Sequence, residues 1–339
     1  MFLMFDTLKD LCLLDATSGD EFAVSDYIIE KIAGHCDYKT DNLGNIICFK
    51  KGKSAPSSKI MVDAHTDEIG LIVKSVTPDG YLKFSTVGGI DTSVMMARRV
   101  MINGSVPGVI GCKPVHLASS DEKKKCPGAD SLYIDIGACS KEEAERVVSI
   151  GDRAVMVSDY TVADEKIISK ALDDRIGCAV LIDLIKTYDK YDFYAVFSVQ
   201  EEVGARGAKV ATFALAPDSA IVLEGTTAAD IAGVPEDKTV CKLGKGVAVS
   251  FMDRGTVYYK NYYDYALNSG IECQTKSAVA GGNNSGTIHL SRGGVKTVAL
   301  SVPCRYIHSA GSVADKNDIL SARRLAEYMI TAIAEGKVK

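Results

Sequence analysis

Three strand-like runs of mostly apolar residues constrain the fold of this chain most, because a strand that is apolar on both faces must be covered on both faces. The runs occupy positions 59–64, 192–197 and 219–223. Ionisable side chains follow the runs, namely His65, the pair Glu201–Glu202, and Glu224. Open α/β sheets keep their ligand sites at such strand ends. The sequence therefore predicts an α/β fold in which these side chains converge.

Glu201 and Glu202 are adjacent carboxylates that follow one of the predicted buried strands. Their mutual repulsion is costly unless a cation offsets it. A metal ion would give the pair two roles, because one carboxylate could bind the ion while the other transfers protons. A solvated pair at a strand end is an equally good interpretation of these two residues alone.

His65 and Asp67 are separated by one residue, so their side chains share a face in an extended chain. Asp67 would then hold one imidazole nitrogen and leave the other free to bind a metal. A histidine that is only hydrogen-bonded is the alternative. Asp173 and Asp174 precede a predicted helix. Capping by Asp174 and the helix dipole explain this second pair without a metal, and the spacing alone favours that interpretation.

Short strands and glycine turns replace the apolar runs in the middle of the chain, as at Tyr81–Phe84. We therefore predict an α/β domain formed by 1–68 and 163–339, with a small β-rich domain inserted at 69–162. The inserted segment contains no recognisable catalytic constellation.

Three further patterns predict local structure. Ser18–Glu21 has the sequence of a capping box and predicts the start of a helix. The polar glycine loop Gly281–Gly286 could be a plain turn, but its hydrogen-bonding side chains suit a substrate pocket. A last helix is predicted at roughly 318–334, where apolar residues recur at helical spacing.

Composition restricts the partners and the compartment. A net charge of -5 over 339 residues gives no reason to expect nucleic acid or an anionic membrane as a partner. The first residues lack the basic region of a signal peptide, and no apolar run is long enough to span a bilayer. The ten cysteines are scattered without a CxxC pair, which favours reduced thiols in a cytoplasmic protein over cysteine-bound zinc.

Four short segments contain most of the candidate residues. They are His65–Gly70 (HTDEIG), Ala171–Arg175 (ALDDR), Gln200–Gly207 (QEEVGARG) and Arg305–Ser309 (RYIHS). Their sequences and order resemble the M42 family of metalloaminopeptidases, which includes glutamyl aminopeptidases, deblocking aminopeptidases and the tetrahedral TET peptidases. The resemblance implies a zinc-peptidase-like α/β fold, with a mixed central sheet flanked by helices.

The resemblance also implies a binuclear site with two divalent ions per subunit, usually zinc or cobalt. Asp173 would bridge the ions, which overturns the interpretation of that pair as a simple helix start. The remaining ligands would be His65 and Glu224 for one ion, and Glu202 and His308 for the other. Glu201 would be the general base on a metal-bridging water, with Asp67 behind His65. The expected activity is removal of N-terminal residues from peptides.

Assembly and substrate are also implied by the resemblance. We expect self-association through the inserted domain, from a dimer to a dodecamer. Glu224 stands where relatives often carry Asp, and Asn284 also replaces an Asp, so metal identity and substrate preference stay open.

Three alternative functions remain. A metal-dependent deacylase or carboxypeptidase is the nearest. An endoglucanase-type glycoside hydrolase would leave the histidines and the bridging aspartate unexplained. A non-catalytic protein of the same fold would have no use for the complete residue set.

Overall fold

A computed structural model describes residues 2–279 and 281–338. Its strands are β1 (Asp37–Thr40), β2 (Ile46–Lys50), β3 (Ile60–His65), β4 (Gly70–Val76), β5 (Leu82–Val87), β6 (Arg99–Ile102), β7 (Val106–Gly111), β8 (Tyr133–Asp135), β9 (Arg153–Met156), β10 (Thr161–Ala163), β11 (Lys166–Ser169), β12 (Phe193–Ser198), β13 (Ser219–Thr227), β14 (Val247–Ser250), β15 (Cys273–Lys276), β16 (Lys296–Arg305) and β17 (Ser312–Asp315). Its helices are α1 (Phe2–Leu13), α2 (Phe22–Ile32), α3 (Lys141–Ala144), α4 (Leu172–Thr187), α5 (Arg206–Leu215), α6 (Lys260–Leu267), α7 (Ser285–Ile288) and α8 (Lys316–Ala334).

Two bodies of strands make up the fold. The larger is a mixed sheet in the order β1-β2-β12-β3-β13-β16-β17-β11-β10, with β14 and β15 attached through β16. Its centre, β12-β3-β13-β16, is parallel, while β2 and β17 run antiparallel on either side. Since parallel strands end at the same edge of a sheet, the chain segments after these four strands meet there.

Helices cover both faces of the central strands, which explains why these strands are apolar throughout. Every residue of β3 is buried. Ile60 and Val62 belong to the core cluster that contains α4 and α8, whereas Met61 points to the other face and packs in the cluster with α5.

The smaller body is a closed β-barrel in the order β4-β5-β8-β7-β6-β9. Alternate residues of its strands, including Leu82, Phe84 and Ile134, fill its interior. Closure pairs the strand edges, so a six-stranded sheet becomes a self-contained unit.

The predicted α/β class with a mixed central sheet and a small β-rich domain is confirmed. The last helix also lies where the sequence predicted it. The capping box at Ser18–Glu21 was wrong: Glu21 occupies the N-cap position of α2, but neither side chain caps the helix, since Ser18 is bonded to Asp67 instead. No helix in the described part of the chain is long and apolar enough to cross a membrane.

Candidate metal centre

The candidate site lies at the edge where the four parallel strands end. β3 ends at His65, and β12 ends three residues before Glu201. β16 ends at Arg305 and leads into His308. β13 differs from the prediction, because Glu224 lies within that strand, which continues to Thr227. Parallel pairing still places Glu224 beside β16, opposite Ser301.

One side of the site is formed by His65, Asp173 and Glu224. The Nε2 atom of His65 lies 3.2 Å from Oε1 of Glu224 and 3.5 Å from Oδ1 of Asp173. Their ligand atoms lie within 4.8 Å of one another, and the three side chains are at most 10% exposed. An imidazole and two carboxylates at this spacing can hold one divalent cation.

The other side is formed by Asp173, Glu202 and His308. The Nε2 atom of His308 lies 3.3 Å from Oε1 of Glu202 and 3.7 Å from Oδ2 of Asp173. These ligand atoms are also mutually within 4.8 Å. Asp173 therefore belongs to both groups and presents a different oxygen to each imidazole, which is the arrangement that a bridging carboxylate requires.

The backbone at the start of α4 separates the roles of the two aspartates. The peptide bond between Asp173 and Asp174 is cis, and both residues have non-helical backbone angles. The backbone N–H of Gly225 donates to Oδ1 of Asp173 at 3.1 Å. The carboxylate of Asp174 accepts hydrogen bonds from the N–H groups of Gly177 and His65 and belongs to neither group. Asp174 thus caps the helix, as predicted, while Asp173 faces both imidazoles.

Asp67 organises the groups behind the site. Its carboxylate accepts hydrogen bonds from Ser18 Oγ at 2.6 Å, from Glu201 N at 2.9 Å and from Glu202 N at 3.1 Å. The Nδ1 atom of His65 lies 3.1 Å from the carbonyl oxygen of Asp67 and 3.3 Å from its carboxylate. Nδ1 is therefore engaged, and Nε2 is directed at Asp173 and Glu224.

The carboxylates carry more negative charge than the imidazoles offset. Burial raises the pKa of Glu201, Glu202 and Glu224, and neighbouring carboxylates raise each further. For Asp173 burial acts in the same direction, but the His308 and His65 imidazoles outweigh it and lower the pKa. Bound cations would favour the ionised form of every carboxyl group here.

The residues present fit a pair of divalent cations. The Oε2 atom of Glu224 is buried and has no hydrogen-bond partner in the described structure, although Oε1 faces His65. A buried carboxylate oxygen without a partner is costly, and a cation would satisfy it. Imidazole and carboxylate donors are those that zinc and cobalt accept.

Ser18 and the asparagine loop make contacts that the sequence did not indicate. The Ser18 hydroxyl donates to the Asp67 carboxylate, and no local sequence pattern indicates a contact between residues 49 positions apart. Asn284 is buried and donates to Asp63 at 2.6 Å and to Ser198 at 2.9 Å. Asn283 is also buried and bonds to Tyr258. These two side chains connect the loop to the core.

The M42 family model, described as M42 glutamyl aminopeptidase, matches residues 44–325. The chain belongs to the M42 family. It is therefore a peptide hydrolase, and members of this family depend on metals, which agrees with the two candidate groups.

Known M42 relatives resemble this chain over nearly its whole length. The lysyl aminopeptidase of Pyrococcus furiosus is 33% identical over 344 residues, which cover 96% of each chain. A solved structure of the TET1 peptidase of Pyrococcus horikoshii, described as assembling into a tetrahedron or a large octahedral shell, has a TM-score of 0.84 at 33% identity and covers 98% of this chain and 99% of its own. A solved structure from Thermotoga maritima named an endoglucanase has a TM-score of 0.78 at 37% identity, covering 97% of each chain.

Proposed function

We propose that this M42 protein is a binuclear metal-dependent aminopeptidase that removes N-terminal residues from peptides. The observation that carries the proposal is the shared position of Asp173, whose two oxygens face different histidines. A single-ion site has no need for this arrangement, whereas two cations a few ångströms apart need an anionic bridge between them.

Each side chain would have a defined role. His65 and Glu224 would hold one cation, Glu202 and His308 the other, and Asp173 both. When bound, the pair would polarise the peptide carbonyl and make the attacking water more acidic.

Glu201 would be the general base. It would accept a proton from the water that attacks the carbonyl carbon. It would then deliver that proton to the amine nitrogen that leaves when the C–N bond breaks. Asp67 supports this role because it holds the backbone N–H groups of both Glu201 and Glu202.

Metal removal tests the proposal. Dialysis against a chelator should abolish release of chromophore from aminoacyl substrates, and added zinc or cobalt should restore it. Peptides with a free N-terminus should be cleaved, while matched peptides with an acetylated N-terminus should not. Cleavage of only the blocked peptides would identify a deacylase, and cleavage from the other end would identify a carboxypeptidase.

The ligand set gives a second, independent measurement. Asp173→Asn removes the bridging charge from both groups, so we expect its metal content to fall from two ions per chain to nearly none. Elemental analysis of the purified variant beside the wild-type protein checks this. Retention of two ions would contradict the bridging role, whatever the activity.

The name of the Thermotoga relative favours a glycoside hydrolase as the second candidate. A glycosidase of the usual kind needs two carboxyl groups that flank one glycosidic bond, and it needs no metal. Here the adjacent glutamates have different surroundings. Glu202 faces His308, whereas the Glu201 carboxylate belongs to neither ligand group. Hydrolysis of a glucan in the presence of the chelator would instead favour the glycoside hydrolase.

We further propose that copies of the chain associate through the barrel, and that zinc or cobalt is the resident metal. The assembly of the TET1 relative supports association, and the donor set supports the choice of metals. All ten cysteines are free thiols, which supports the expected cytoplasmic location.

A further inference from the structure

The turn that follows β5 reaches from the barrel into the metal centre. The Nδ1 atom of His308 lies 2.8 Å from the carbonyl oxygen of Gly89. A carbonyl oxygen can only accept, so this contact requires the proton on Nδ1. The Nε2 lone pair is then left facing Glu202 and Asp173. Metal-binding histidines are commonly oriented by such a contact to a backbone carbonyl.

The same turn also contacts the second carboxylate of this group. A Cβ atom on Gly88 would lie 3.2 Å from Cβ of Glu202 and 2.7 Å from Cγ2 of Ile69. Gly88 has a φ of +82°, a conformation that other residues rarely adopt. Glycine at this position therefore allows the barrel backbone to lie directly against Glu202.

The segment that carries His308 is held by the barrel on its other side as well. Ala310, two residues beyond His308, is buried in the hydrophobic cluster of the barrel together with residues such as Phe84. His308 is thus positioned between a barrel turn and a side chain that packs in the barrel core.

The group around His65 has no such connection. His65 is held by Asp67, and its side chain is only 1% exposed, against 33% for His308. In the part of the chain that the structure describes, no hydrogen bond from the barrel reaches His65, Asp173 or Glu224. The two candidate cation positions therefore depend on different parts of the fold.

We propose that the Gly88–Gly89 turn of the barrel is a positioning element for the cation held by Asp173, Glu202 and His308, and not for the one at His65. The inference rests on the proposed binuclear function. The barrel would then have a role within each subunit, because its placement against the sheet sets the affinity of one of the two metal positions.

Cobalt titration of the metal-free protein tests the proposal, because the visible absorption of bound Co²⁺ reports each equivalent separately from activity. Wild-type protein should take up two equivalents. Gly88→Ala introduces the overlap with Ile69 and shifts the turn. Its first equivalent should bind as in wild type, and its second should bind about 10–100-fold more weakly.

A matched control separates this effect from general strain in the barrel. Gly137 has a φ of +80°, close to that of Gly88, and a Cβ added there would meet nothing within 4 Å. Gly137→Ala should therefore bind both equivalents as in wild type. Equal loss of the second equivalent in Gly137→Ala would overturn the proposal.

A second variant covers the case in which Gly88→Ala does not fold. Ala310→Gly removes one buried methyl group and adds no overlap, so it loosens the His308 segment from the barrel. It should weaken the second equivalent severalfold and leave the first unchanged. If every folded variant binds both equivalents with wild-type affinity, the turn has no positioning role and the proposed function still stands. If the wild-type protein itself binds no cobalt, the result contradicts the proposed binuclear function and not only the role of the turn.

Discussion

At the scale of single residues, the two adjacent glutamates differ in what their carboxylates contact. Glu202 Oε1 lies 3.3 Å from Nε2 of His308 and belongs to a ligand group. The Glu201 carboxylate belongs to neither group, although burial and the charges of Glu202 and Asp173 raise its pKa. Because bound cations would lower this pKa again, Glu201 would be ionised in the loaded site and could accept a proton from water, which a general base must do.

Glu201→Gln separates proton transfer from metal binding. The amide keeps the size of the side chain but cannot accept a proton, so we expect kcat to fall by at least about 100-fold. Two ions per chain should remain, because Glu201 is in neither ligand group. Elemental analysis and turnover of an aminoacyl substrate check the two expectations on one preparation. Full activity in this variant would remove Glu201 from the mechanism.

Sequence reasoning at this scale selected residues whose type itself restricts the chemistry. His65 and Glu202 follow buried strands, and ionisable groups there need a partner. It failed for Ser18, whose partner Asp67 lies 49 positions away. It did not anticipate that Asn284 donates to one carboxylate oxygen of the buried Asp63, which no sequence pattern indicates. Polar residues with such distant partners carry no local signal.

At the scale of elements, β13 positions the Asp173 carboxylate through its backbone. Gly225 follows Glu224 directly, and its N–H bonds to Asp173. A Cβ atom on Gly225 would lie 2.8 Å from Cβ of Asp173 and 2.9 Å from its Oδ1 atom. The strand can therefore approach Asp173 only because this position has no side chain.

Gly225→Ala should displace Asp173 and weaken both metal positions together, by about 10–100-fold in affinity. Gly293→Ala is the control, because a Cβ added at Gly293 would meet nothing within 4 Å and no positive φ is imposed there. Calorimetric titration of the metal-free proteins with zinc measures the metal affinities of both variants. Unchanged affinity in Gly225→Ala would show that Asp173 can shift without loss.

The elements differ in how well the sequence predicts them. Apolar residues on both faces made the central strands recognisable, since the covering layers impose that pattern. Helix starts were less certain. Asp174 caps α4 as expected, but Ser18–Glu21 matched a capping box and its side chains were taken up by tertiary contacts. The closing of the short middle strands into a barrel depends on their pairing, which local patterns do not determine.

At the scale of the whole molecule, association through the barrel would use side chains and not strand edges. Closure pairs the six strands with one another, so no edge strand of the barrel is left for pairing with another copy. Val115 and Leu117 lie in a short turn after β7 and are 74% and 61% exposed. Large apolar side chains with this exposure on a small domain favour contact with another protein surface.

Replacing both exposed residues, as Val115→Ser with Leu117→Ser, should therefore give smaller assemblies than the wild-type protein. The variant should fold normally, because surface substitutions rarely change the free energy of unfolding by more than about 0.5 kcal/mol. Light scattering after size-exclusion chromatography measures the mass. Phe213→Ser with Leu290→Ser is the comparison, since these side chains are 57% and 71% exposed on the larger body. If only that comparison variant dissociates, the copies associate through the α/β domain and the barrel is not the interface. If the wild-type protein is itself a monomer, there is no assembly for either pair to change.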